Sequence, residues 1–159
     1  MKIGLFFGSF NPIHVGHLII ANHFVEHTDL KQIWFVVTPQ NPLKQKESLL
    51  ANNHRFQLVK HAIGDYSKFK ASDIEFKLAQ PNYTVKSLAY LKEKNPKHVF
   101  VLMMGADNLN TLRKWKNYEV ILENYQIYCY PRPGEDPGQF AKHKNVLLVK
   151  DVPLMFSRI

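Results

Sequence analysis

A chain of 159 residues has room for one hydrophobic core and leaves too little for a second full domain. With 45% hydrophobic and 21% charged residues, its composition excludes a disordered chain, and no apolar run nears the roughly 18 residues of a membrane span. A single cysteine, Cys129, excludes an internal disulfide framework and implies a reducing, cytoplasmic setting. The formal net charge of +8 favours an anionic partner without choosing between nucleic acid, a phosphorylated metabolite and no specific ligand.

In chain order, residues 2–7 form an apolar run that Gly8 and Ser9 break before it reaches the length of a secretory core, so it reads as a strand. Residues 15–27 carry Leu18, Ile19, Ala21, Phe24 and Val25 on one helical stripe. Residues 32–37 read as the second strand. The polar, proline-bearing stretch 38–50 after it reads as a loop. A helix is predicted over 53–63, with Phe56, Leu58, Val59, Ala62 and Ile63 spaced for burial, and a strand over 70–74. Val85, Leu88, Ala89 and Leu91 share one face of a helix over 84–94. Strands follow at 98–104, 125–130 and 146–149, with a proline- and glycine-bearing loop over 131–144. Short apolar strands alternating with helical patterns predict a doubly wound α/β domain, with a parallel sheet covered by helices on both faces. Ligands of such sheets bind beyond the carboxyl ends of the strands, so the loops that follow strands are where function is sought.

The loop after the first strand carries Gly8-Ser9-Phe10-Asn11-Pro12-Ile13-His14-Val15-Gly16-His17. Gly8 ends the strand, Gly16 sits where the helix begins, and both let backbone amides approach a phosphate. His14 and His17, three apart, are directed at the same helix N-terminus. A lone histidine there is most often a surface residue, but the whole unit after a strand describes an anion site. Two histidines could also hold zinc, yet no Cys, Asp or Glu in the motif completes a ligand set, and a P-loop is excluded by the absence of Gly-Lys-Ser/Thr. The aromatic residues lie inside apolar runs and make no basic-aromatic platform for RNA.

The His-x-Gly-His unit, with the preceding Gly-x-Phe-x-Pro, resembles the signature of the HxGH nucleotidyltransferase superfamily, a Rossmann-like group that transfers nucleoside monophosphates. Further features resemble its nicotinate-nucleotide adenylyltransferases. These are Thr38-Pro39 with Asn41-Pro42-Leu43-Lys44, Asn82-Tyr83-Thr84 before a helix, Gly105-Ala106-Asp107 with Trp115 eight residues beyond the aspartate, and Pro131-Arg132-Pro133-Gly134. Taken singly, each has a structural reading: Trp115 as a packing residue, Thr84 and Asp107 as helix caps. Phe7 and Asn11 stand where Gly and Asp are common in the family, and Leu43 stands where many members have histidine.

The resemblance implies transfer of the adenylyl group of ATP to nicotinate mononucleotide, with pyrophosphate released, as a step of NAD biosynthesis. It implies His14, His17 and Lys44 as catalytic residues, and Gly8, Ser9, Phe10, Gly16, Gly105 and Asp107 at ATP. Asn11, Thr84 and Trp115 would meet the mononucleotide, Trp115 by stacking on the pyridine ring. Magnesium would arrive on the ATP phosphates, with no metal held by protein side chains. The partners implied are ATP and nicotinate mononucleotide, without nucleic acid or membrane, and a homo-oligomer stays open. Residues 155–159 (MFSRI) fall where members continue with Ile-Ser-Ser-Thr-x-Ile-Arg, so a single domain over 1–159 lacking its C-terminal ATP-binding helix motif is expected. Phosphopantetheine adenylyltransferase, a nicotinamide-preferring enzyme and a non-catalytic nucleotide sensor are the competing readings.

Overall fold

The computed structural model describes residues 1–39 and 51–153. Lys44 and residues 155–159 lie outside them. Six parallel strands, β1 (Lys2–Gly8), β2 (Gln32–Val37), β3 (Phe69–Ser72), β4 (Val99–Gly105), β5 (Gln126–Tyr130) and β6 (Val146–Leu148), form one sheet in the order β3-β2-β1-β4-β5-β6. The helices are α1 (Val15–His27), α2 (Asn52–Ile63), α3 (Thr84–Lys94), α4 (Ala106–Asn110) and α5 (Tyr118–Asn124). None of them is long and apolar enough to cross a membrane.

The strands are apolar on both faces because both are covered. Phe6, Ile33, Phe35, Val101 and Met103 pack with Ile20, Ala21 and Phe24 of α1 and Val59 of α2. On the other face, Ile3, Leu5, Val36, Leu102 and Met104 pack with Leu88 and Leu91 of α3, Leu109 of α4 and Ile121 of α5. Gly4 lies where β1 and β2 are pressed together: an added Cβ would come within 2.8 Å of Leu30 Cδ1 and 2.9 Å of both Ile33 Cδ1 and Met103 Sδ. Cys129 is buried in β5 beneath the second layer, where burial, and then the charge of Asp107, push its thiol up to about 12.

The predicted doubly wound sheet is the one observed, and 15–27, 32–37 and 84–94 keep their predicted bounds. Most other bounds shift by one residue, Ala62 and Ala89 of the expected stripes are exposed, and three further local expectations change. The third strand starts at Phe69 and stops at Ser72, because Asp73 opens a 3-10 turn, Ile74–Phe76, in which Ile74 is buried against the second layer. Residues 106–124, for which the sequence reading gave no helix bounds beyond Asp107 as a possible cap, contain α4 and α5. At 5 and 7 residues these are too short to establish a period. The stretch 131–144 is not loop throughout: Gly138, at φ 86, precedes a 3-10 turn over Gln139–Lys142, and its N–H donates to Asp136 Oδ1 at 2.8 Å.

Candidate active site

The strand order reverses between β1 and β4, whose chains leave the sheet in opposite directions, and the crevice at their carboxyl ends is where such folds bind ligands. Phe6 pairs with Met103, so Gly8 and Gly105, two residues further on each strand, stand level at its mouth. From Gly8 the chain turns through Phe10, held at φ 47, and Phe10's ring folds back into the core at 3% exposed. That ring meets Phe6 edge-on at 5.6 Å and His17 at 5.0 Å. Phe10 therefore supports the turn from below and can offer a ligand little beyond its main chain.

His14 is the N-cap of α1, extended at φ −140, and its Nδ1 accepts from the Gly16 N–H at 3.1 Å. His17 reaches back, its Nδ1 accepting from the His14 N–H at 3.1 Å. This is a reciprocal cap built from two imidazoles in place of a hydroxyl and a carboxylate. A backbone N–H can only donate, so each ring meets it with an unprotonated Nδ1, and the proton of the neutral ring sits on Nε2. The rings stack, centroids 3.9 Å apart and 30° between planes. They thus share one environment with both Nε2–H edges turned from the cap. Gly16, buried, has its amide engaged by His14, so the positive end of α1 is presented through the rings. No acidic side chain lies in the first turn of α1.

His17 is partly buried, and burial first, then the charges of His14 and Arg132, lower its pKa to about 4. It is neutral at pH 7. Arg132, beyond the end of β5, lies close enough to raise His17's protonation cost, and it partly opposes the burial that pushes the Tyr130 hydroxyl above its usual range. Across the crevice, Gly105 caps α4, and an added Cβ there would come 2.8 Å from Asp107 Oδ1 and 3.1 Å from Arg132 Cγ. Gly105, Asp107 and Arg132 therefore form one cluster facing the α1 N-terminus.

Thr84 is the first residue of α3 and Trp115 follows the 3-10 turn Leu112–Lys114, both on the second face of the sheet. Lys116 joins their surroundings: its Nζ lies 4.5 Å from the centre of the Tyr83 ring. Trp115 is half-buried against the second core layer, which fixes one side of its indole. Asn11 is partly buried in the turn after β1.

Two buried charged residues escaped the sequence reading. Arg55 of α2 is fully buried; its Nη1 donates to the Ser9 and Thr38 carbonyls, the latter at 2.8 Å, and its Nη2 donates to Asn52 Oδ1 at 2.6 Å. Glu75, 2% exposed, accepts from the hydroxyls of Thr38, at 2.9 Å, and Ser87, and burial pushes its carboxyl above the usual range. The signal for each was faint. Arg55 interrupts a helix otherwise patterned for burial, and Glu75 stands between the apolar Ile74 and Phe76.

A cytidylyltransferase-like family model matches residues 5–156. The chain is 60% identical over 152 residues to a probable nicotinate-nucleotide adenylyltransferase of Flavobacterium psychrophilum, covering 94% of this chain and 79% of that protein. It is 59% identical to the corresponding protein of Flavobacterium johnsoniae, covering 98% and 81%. Among solved structures, the fold matches that of the Plasmodium falciparum nicotinic acid mononucleotide adenylyltransferase complexed with NaAD. The TM-score is 0.80 at 21% identity, over 98% of this chain and 77% of that one.

Proposed function

We propose, from the premise that the chain belongs to the cytidylyltransferase-like family and within it to the nicotinate-nucleotide adenylyltransferases, that it joins nicotinate mononucleotide to the adenylyl group of ATP and releases pyrophosphate. The observation that carries the reading is the stacked His14–His17 pair, its Nε2–H edges free at the N-terminus of α1, beside the crevice between β1 and β4.

The chemistry asks little in the way of proton transfer. The attacking oxygen belongs to a phosphate already ionised near neutral pH. It forms a bond to the α-phosphorus of ATP as the bond from that phosphorus to the pyrophosphate oxygen breaks. What remains for the protein is to align the two oxygens and to stabilise charge on the phosphoryl oxygens. His17, neutral and fixed in its Nε2–H tautomer, and His14 beside it are suited to donate to those oxygens without rearranging. Gly8 and Ser9 contribute main-chain contacts to the triphosphate, and Phe10 holds that turn. Gly105 and Asp107 are assigned to the adenosine ribose, where a carboxylate accepts from sugar hydroxyls. Lys44 is assigned to a phosphate on the sequence alone.

Asn11, Thr84 and Trp115 are assigned to the mononucleotide, with the indole stacked on the pyridine ring and the start of α3 facing the carboxylate. The contact between Lys116 and Tyr83 supports treating Thr84 and Trp115 as one subsite. Among the described residues no group of three or more His, Cys, Asp or Glu could hold a metal ion. Magnesium is assigned to the ATP phosphates, arriving as part of the substrate and neutralising their charge. The setting proposed is the cytoplasm, in keeping with ATP as substrate and a buried, unpaired Cys129.

The test is pyrophosphate release from ATP and magnesium with nicotinate mononucleotide, nicotinamide mononucleotide or phosphopantetheine as acceptor. Nicotinate mononucleotide should give the highest kcat/KM. Preference for either other acceptor transfers the assignment to that enzyme, and tight ATP binding with no turnover on any acceptor makes the protein a sensor.

A further inference from the structure

A buried polar chain crosses the carboxyl edge of the sheet from the phosphate turn to α3. Arg55 Nη1 donates to the carbonyls of Ser9, in that turn, and of Thr38, just past β2. Thr38 is the shared node: its N–H donates to the Gly8 carbonyl at 2.8 Å and its hydroxyl donates to Glu75 at 2.9 Å. The other Glu75 oxygen accepts from Ser87, fully buried in α3 and one turn beyond Thr84.

Burying a guanidinium and a carboxylate is costly, and well-packed apolar side chains would generally fill the same space with equal or greater stability. What apolar residues cannot do is hold three chain ends in fixed register. Arg55 grips two carbonyls with one planar fork, a geometry that a lysine ammonium on a flexible stem does not reproduce. Glu75 then ties the same Thr38 to the helix that opens the mononucleotide subsite.

We propose that Arg55 and Glu75 are positioning residues, which set the separation between the phosphate turn and the start of α3 through their common partner Thr38. The inference rests on the reading above, in which the two substrates meet across these chain ends. In-line transfer depends on near-attack geometry, and a misplacement of about 1 Å can cost roughly 100-fold in rate. Neither residue need touch a substrate to matter.

The experiment measures kcat per active site, by active-site titration, together with KM for both substrates and the thermal midpoint. The variants are Arg55→Lys, Arg55→Met, Thr38→Val and Ser87→Ala. Arg55→Lys is expected to lower kcat about 10-fold and Arg55→Met about 30- to 100-fold, with both KM values within about threefold of wild type. Thr38→Val keeps the main-chain bonds to Arg55 and Gly8 and breaks only the link to Glu75. It and Ser87→Ala are expected to raise KM for nicotinate mononucleotide about fivefold while leaving KM for ATP unchanged.

A residue that merely stabilises the fold would reduce the number of active molecules and leave kcat per site alone. Arg55→Lys with kcat per site within twofold of wild type overturns the proposal. So does Thr38→Val with unchanged kinetics, which decides the matter if Arg55→Met does not fold. A wild-type protein that is folded yet inactive on nicotinate mononucleotide defeats the underlying reading instead, and is told apart by that control.

Discussion

Replacing His17 separates two jobs that one ring performs. Its Nδ1 accepts the His14 N–H at 3.1 Å, closing the cap of α1, and its Nε2–H is the donor assigned to the transferring phosphoryl group. Loss of the cap should cost about 1 kcal/mol of stability, near the usual value for one capping hydrogen bond and equivalent to a fall in thermal midpoint of roughly 2–5 °C. Loss of the donor should cost at least about 100-fold in kcat, or about 2.7 kcal/mol of barrier. His17→Ala removes both. In His17→Gln the side-chain carbonyl can still accept the His14 N–H from the third helical position, so the cap is kept while the ring donor is gone. The assays are thermal melting and continuous pyrophosphate release at saturating substrate. His17→Ala is expected to lose both stability and rate, and His17→Gln mainly rate, with modest change in affinity for nicotinate mononucleotide. A glutamine variant turning over within about fivefold of wild type would refute the assignment of His17 as the donor.

The depressed pKa of His17 makes stability depend on pH in a defined window. The unfolded chain takes up the proton near the ordinary 6.5 and the folded chain only near 4, so stability is fully present above 6.5 and is lost as pH falls toward 4. The ceiling is about 3 kcal/mol, lowered by the ring's partial exposure. Urea titrations across that window should show a shallower slope for His17→Gln, and identical slopes would count against it. Trp115→Ala should raise KM for nicotinate mononucleotide about tenfold with kcat little changed, as expected for loss of a ring stack; steady-state kinetics at fixed ATP decides this. Gly4→Ala should destabilise by about 1–3 kcal/mol through overpacking, read as a shift in urea midpoint without loss of activity per folded molecule, since its Cβ would collide with Leu30, Ile33 and Met103.

The sheet was legible because its strands are short, apolar and separated by helical stretches, of which 15–27 and 84–94 keep their predicted bounds. Strand order, by contrast, is a tertiary property; the sequence reading could say where ligands bind in such sheets but not which strands flank the crevice. The His14–His17 pair was visible as a spacing. Its reciprocal cap was not, because which nitrogen meets which amide is decided by the extended backbone at His14 and the Phe10 ring beneath. Arg55 and Glu75 stayed hidden for a related reason: a charged side chain at a buried position is indistinguishable in one sequence from a solvated one, until the carbonyls and hydroxyls that receive it come together from Ser9, Thr38 and Ser87. Helices α4 and α5 owe their existence to packing on β4 and β5 rather than to their own periodicity.

The lone thiol in β5 gives the molecule a built-in clock. With burial and Asp107 holding Cys129 protonated, and the second helical layer covering it, a soluble disulfide reagent can react only when β5 is laid bare. The pace of labelling therefore reports how often the centre of the domain opens, at one defined residue and without any engineered probe. Bound nucleotide, by favouring the closed form, should slow that clock in proportion to its occupancy.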